Sequence, residues 1–374
     1  MTLTPDTIFA QSSLWQSWLD VEAALARVQG GMGMIPDWAA ARITQVAQLD
    51  VIGHDALVAD ITRTMAPVLS LTRLLARAAG DAGDYVHWGA TTQNVMQTGR
   101  ILLMRHSDQA MRNNLATAAQ RLAVLAREEA DTMMIGRTNR QYALPITFGF
   151  KVAGWIAELD RAEARLSDAA KRLFVLPFGG AIGAMHAYGP EGRELNRRLA
   201  GELGLDEMLV PGRTINDVFT DYLLQLSLLA MGVERIMTEA YTLIGQDYGE
   251  LGERLDAGAV GSSTMPQKVN PKYVVPVAAQ AIQLRGYATN ALEAGSSSHE
   301  GDPLSNQVLA AVLDQAVPLA WRMSAGFAEA LNRLAVRRDI MAQNLKKAGS
   351  AVCAEHLMMK LAPIVGRTQA HDVI

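Results

Sequence analysis

Apolar residues recur at steps of three and four along most of the chain. Leu14, Trp18, Val21, Leu25 and Val28 share one face at the 3.6-residue period, which predicts an amphipathic helix that starts near Ser12 or Ser13 and stops at Gly30 and Gly31. Pro36 and Asp37 open a second, short helix, and the Ala- and Leu-rich stretch 67–79 reads as a third, closed by Gly80 and Gly83. Longer periodic stretches follow at about 97–132, 147–173 and 218–248, none with an internal proline. At about 1.5 Å per residue each would be roughly 40 to 50 Å long, the dimension of a helix bundle rather than of one small domain. A fourth, 272–294, carries Pro276 within its first turn, where a missing N–H costs little; a fifth, 307–336, has a bend predicted at Pro318.

Strand signals are scarce. The best is LFVLPFGGAIG at 173–183, but its GGAIG spacing is not GxGxxG and no alternating strand–helix pattern surrounds it. It reads as a tight connection between helices. The pattern predicts an all-α long-helix bundle, and the apolar faces on more than one side of the long helices favour a bundle completed by other subunits over one closed within the chain.

Charge and composition narrow the function classes. A net charge of -4 leaves no basic field to gather nucleic acid or anionic membrane. The longest uncharged apolar run, YLLQLSLLAMGV at 222–233, is bracketed by Asp221 and Glu234 and falls short of the roughly 20 residues that span a bilayer. One cysteine, Cys353, cannot form an internal disulfide, and MTLTPDTIFAQ lacks the segments of a signal peptide, so a cytoplasmic protein is expected.

Four polar islands, each at the end of a long helical stretch, hold the candidate chemistry: HWGATTQNVMQTG (87–99), GRTNRQYALP (136–145), GSSTMPQKVNP (261–271) and SSSHEGDPLSN (296–306). Thr91, Thr92 and Gln93 fit a helix cap or an anion site at a helix N-terminus, two roles that are compatible. His87 alone reads as a hydrogen-bonded structural histidine or a catalytic one. His299, Glu300 and Asp302 match no familiar metal-site spacing, and no metal is expected. GSSTMPQKVNP differs in kind. Gly261 gives backbone freedom, Pro266 and Pro271 forbid a regular helix, and hydroxyl, ammonium and carboxamide groups are displayed together. A serine becomes a base only if its alkoxide is stabilised, and a lysine with backbone N–H groups can do that; the same lysine could instead neutralise a substrate carboxylate.

This loop resembles the signature of the fumarase/aspartase superfamily. WLDVEAALARVQ, YVHWGATTQN, GRTNRQYALPITFGFK, GGAIGAMHAYG and LMMKLAPIVGRTQAHD extend the resemblance over nearly the whole chain, closest to the 3-carboxy-cis,cis-muconate cycloisomerase and adenylosuccinate lyase branch. The resemblance implies removal of a proton beside a carboxylate, an aci-carboxylate dianion, and expulsion of a neighbouring group to leave a fumarate-like alkene. It makes Ser262 the base and gives Lys268 and Asn270 a substrate carboxylate. It places the N–H groups around Ser263, Thr264 and Met265 on the developing dianion, and Thr91, Thr92 and Gln93 on the other carboxylate. Thr138, Asn139, Gln141 and Tyr142 match the segment that faces the leaving group. A homotetramer sharing its active sites between subunits is implied, and no cofactor.

Departures refine this. The adenylosuccinate lyase branch has a histidine where Asn139 stands, and the cycloisomerases tend to have one where Tyr142 stands, so either Tyr142, His87 or water supplies a proton or the leaving group needs none. Asn94 replaces a common aspartate. The island 296–306 contains no arginine, so a nucleotide phosphate would lack a bidentate partner there and adenylosuccinate is not expected as substrate. Expected domains are an N-terminal helical one (1–96), a central bundle (97–336) and the start of a C-terminal helical one (337–374), which reads as truncated just after GRTQAHD. The expected activity is β-elimination from a succinate-like dicarboxylate, with the cycloisomerase reaction and a non-catalytic helical homologue as alternatives.

Overall fold

The computed structural model describes residues 2–374. Its helices bear out the all-α expectation. The predicted long stretches are the helices Thr92–Glu128, Phe148–Leu173, Asp217–Ile244 and Pro303–Arg333. The expected 272–294 helix is two, Val274–Gly286 and Ala288–Gly295. Pro318 does not end its helix, and Pro303–Arg333 runs through it. The helix starts four residues earlier than the apolar period suggests because Asp302 caps it: its Oδ1 accepts from the Leu304 N–H at 3.0 Å, and Pro303 takes the first helical position.

Among the described residues three small two-stranded sheets accompany the helices: Met133–Thr138 with Gln141–Thr147, Leu251–Glu253 with Leu334–Val336, and a parallel pair, Val175–Leu176 with Asp206–Glu207. The first is a hairpin that the apolar pattern misses. Its two-residue turn is Asn139 and Arg140, with φ of 49° and 64°, and Thr138 faces Gln141 across it. Positive φ at both central positions is the turn whose twist matches paired strands, and asparagine tolerates it well.

By its contacts the chain divides into two compact units. One comprises Met1–Arg112, Ala164–Leu228 and Gln283–Arg322, the other Asn113–Glu163, Leu229–Ile282 and Met323–Ile374. In the first, the helix Gln11–Gly31 packs on Asp37–Val46 and on Gly192–Leu203. It is buried over more of its circumference than one amphipathic face requires: Trp15 and Leu19 are core residues alongside Trp18, Val21 and Leu25, while Leu14 is only half-buried. In the second, the helix Arg338–Ala348 packs on the strand Met133–Thr138, and Arg338 forks onto the buried Glu129 with Nε at 2.9 Å from Oε2. Among the described residues no helix is long and apolar enough to cross a membrane.

Candidate active site

The loop 261–271 is polar because it is displayed. Serine 262 and Asn270 are half-buried, and Ser263, Thr264, Met265 and Lys268 are exposed. The loop is closed by the Asn270 N–H donating to the Gly261 carbonyl at 3.1 Å and tightened by the Lys268 N–H on the Met265 carbonyl at 3.0 Å. Only glycine fits at 261, since a Cβ there would stand 2.7 Å from the Lys268 carbonyl oxygen. Inside this closure the Ser262 Oγ accepts from two backbone N–H groups, Met265 at 3.2 Å and Thr264 at 3.4 Å. Two N–H dipoles aimed at one hydroxyl oxygen favour its deprotonated form. Lys268 and Asn270 line a cavity of about 480 Å³ beside the loop, with Met265 and Tyr241.

The far end of the loop is held from outside. Glu253 accepts from the backbone N–H groups of Tyr273 at 3.0 Å and Val274 at 2.8 Å, capping the helix Val274–Gly286. Three residues before Glu253, Glu250 is fully buried and bidentate with Arg137, at 2.7 and 2.9 Å, while Asn344 donates to the same carboxylate at 2.9 Å. Arg137 belongs to the hairpin strand, and its guanidinium lies 5.8 Å from the Tyr142 ring and 4.8 Å from that of Tyr248. One hydrogen-bonded chain therefore ties the hairpin that carries Thr138, Asn139, Gln141 and Tyr142 to the segment that leads into the serine loop. All four hairpin residues are exposed.

The remaining candidates lie in the other unit. His87, at φ 61°, bonds through Nδ1 to Oε1 of the buried Glu22 at 2.6 Å. Burial alone would pull the imidazole pKa down; the hydrogen bond and charge of Glu22 outweigh it and hold His87 above its ordinary value. Thr92 opens the helix Thr92–Glu128, and with Gln93 it lines a cavity of about 300 Å³ that His87 does not reach. Gln93 is buried and locked to Arg213 by a reciprocal pair, its Nε2 donating to the Arg213 carbonyl at 3.1 Å and its Oε1 accepting from Arg213 Nε at 3.0 Å.

Asn94 has a structural reason. Its side chain donates to the Pro177 carbonyl at 3.1 Å and accepts from the Gly180 N–H at 3.0 Å, holding the GGAIG connection. An ionised aspartate could only accept and would leave that carbonyl without its donor. Glu22, Glu250, Glu253 and Arg213 escape a reading of the sequence because each acts on a partner far along the chain. The hairpin did carry a local signal, an Asn between a Thr-ended and a Tyr-containing extended segment.

The family profile described as "Lyase" matches residues 7–286. The chain belongs to the fumarase/aspartase superfamily of lyases. Among its superfamily relatives, adenylosuccinate lyase of Methanothermobacter thermautotrophicus is 34% identical over 378 residues, covering 99% of this chain and 84% of the relative. N-acetyl-S-(2-succino)cysteine lyase of Enterococcus italicus is 31% identical over 359 residues, covering 95% and 78%. Among solved structures of the superfamily, the 3-carboxy-cis,cis-muconate lactonizing enzyme of Pseudomonas putida superposes with a TM-score of 0.90 at 30% identity, covering 99% of this chain and 83% of that one. This superfamily member is accordingly an enzyme of lyase type.

Proposed function

We propose that the protein eliminates a substituent from a succinate-like dicarboxylate, leaving a fumarate-like alkene, with Ser262 as the base that removes the proton beside one carboxylate. The observation that carries this is the pair of backbone N–H groups on the Ser262 Oγ inside a loop that also presents Lys268 and Asn270. The obstacle in such a reaction is the weak acidity of the carbon, so stabilising the aci-carboxylate charge is the largest catalytic contribution. An ammonium and a carboxamide beside the base suit that charge, and Thr91, Thr92 and Gln93 at a helix N-terminus suit the second carboxylate. Two relatives are named for substituted succinates, N-acetyl-S-(2-succino)cysteine and adenylosuccinate, which supports the succinyl core.

The base and the second carboxylate site lie in different units of the chain, and we infer a homotetramer that assembles its sites from several copies. The helix Asp217–Ile244 leaves Leu228, Met231 and Tyr241 exposed, and Val274–Gly286 leaves Val275 and Ile282 exposed at helical spacing. Apolar side chains in that number on long helices support burial against other copies.

The test is a panel of succinates carrying amine, thiol or alkoxy substituents, with muconolactones and adenylosuccinate beside them, followed by ultraviolet absorbance for alkene formation. Turnover of one or more substituted succinates is expected, with no AMP released from adenylosuccinate. Consumption of carboxymuconolactone alone would favour the cycloisomerase reaction, which the likeness to the Pseudomonas putida enzyme supports as a second reading. Silence across the panel would overturn both.

A further inference from the structure

The cavity beside Thr92 and Gln93 holds two arginines with unequal commitments. Arg100 is paired with Asp314, whose carboxylate it meets through both terminal nitrogens. Arg213 meets only neutral acceptors, the Gln93 Oε1 at 3.0 Å and the Ala181 carbonyl, and among the described residues no carboxylate lies within ion-pair distance of it. Partial burial holds its pKa below the usual guanidinium value with no compensating charge. A guanidinium has five N–H donors, and with two of them used about three are left to face the cavity.

The surroundings are shaped to this side chain. Gly301 has φ 74°, and a Cβ there would stand 2.6 Å from Arg213 Nη2. The segment 296–306 that carries no arginine of its own thus has one laid over it from residue 213. The rest of the wall is uncharged: Met96, Pro303, Leu309 and Ala310 are apolar, and Gln97, Asn306 and Gln307 are neutral and polar. With the second succinyl carboxylate assigned to the helix N-terminus at Thr91 and Thr92, and Arg100 neutralised by Asp314, the cavity keeps one further positive charge, that of Arg213, which matches a carboxylate better than a phosphate dianion.

We propose that Arg213 is a specificity-determining residue that pairs with a carboxylate borne by the substituent of the substrate, whose body fills the cavity between Met96 and Leu309. This rests on the elimination proposed above for the succinyl core, and it adds the class of leaving group: a thiol, amine or alcohol that itself carries one carboxylate.

The experiment compares two substituted succinates that differ only in a carboxylate or a carboxamide on the leaving group. The unaltered enzyme should favour the carboxylate in kcat/KM by roughly ten- to a hundredfold. Arg213→Met should bring that ratio near one, and Arg213→Lys, which keeps the charge but not the fork, should retain part of it. A ratio near one in the unaltered enzyme, or an unchanged ratio in Arg213→Met, overturns the proposal. Calorimetric titration with an all-carbon analogue, a methylene replacing the leaving atom, reads the same contact without turnover. If no succinate reacts but the acid analogue binds about tenfold more tightly than its carboxamide, and only with Arg213 present, the elimination fails while this contact stands. Equal binding of the two analogues removes the contact as well.

Discussion

At the scale of single residues, buried partners set what each candidate can do. His87 is held by Glu22, and the sign of its pKa shift fixes the direction of a pH effect. A histidine raised in the folded state contributes stability that is fully present below its unfolded value of about 6.5 and is lost as pH rises through the raised folded value. His87→Gln should therefore destabilise the protein more at pH 5.5 than at pH 8.5 in thermal melts; an equal loss at both would show that the pair carries no charge linkage. The polar islands were legible in the sequence because their composition fits no core. Their partners were not, since a carboxylate such as Glu22 inside an apolar helix gives no local sign of the histidine it meets 65 residues later.

At the scale of elements, the hairpin Met133–Thr147, whose two strands would be marginal alone, is held by the packing of the helix Arg338–Ala348 and by one buried ion pair. Glu250 has no exposure and binds both Arg137 and Asn344. Glu250→Ala leaves the guanidinium without its partner and should cost about 3 to 5 kcal/mol in urea denaturation, with Tyr142 losing its cation–π neighbour. A loss below about 1 kcal/mol would mean that the hairpin is held otherwise. The long helices were legible from period alone, to within a few residues at their ends. The hairpin was not, because MMIGRTNRQYALPIT mixes glycine, proline and charge and lacks clean alternation, while its turn depends on two positive φ values that only the asparagine suggests. Pro318 removes one hydrogen bond without ending its helix, a loss that a helix of 31 residues tolerates.

At the scale of the molecule, the fold and the family could be inferred from the sequence, and the way the candidate residues fall between two compact units could not. The hydroxyl loop and the hairpin belong to one compact unit, and Thr92, Gln93, Arg213 and His87 to the other. Exposed Leu228, Met231, Tyr241 and Ile282 supply the apolar surface for the proposed assembly. Sedimentation velocity should give a tetramer, and charged substitution at both Met231 and Ile282 should dissociate it and abolish turnover together. A fully active monomer would contradict shared sites. The central claim is that Ser262, primed by the Thr264 and Met265 N–H groups, takes the proton. The direct measurement is kcat for alkene formation by Ser262→Ala on the best substituted succinate, with the fold checked by circular dichroism. A loss of about a thousandfold is expected, and a variant that turns over undiminished would contradict the account.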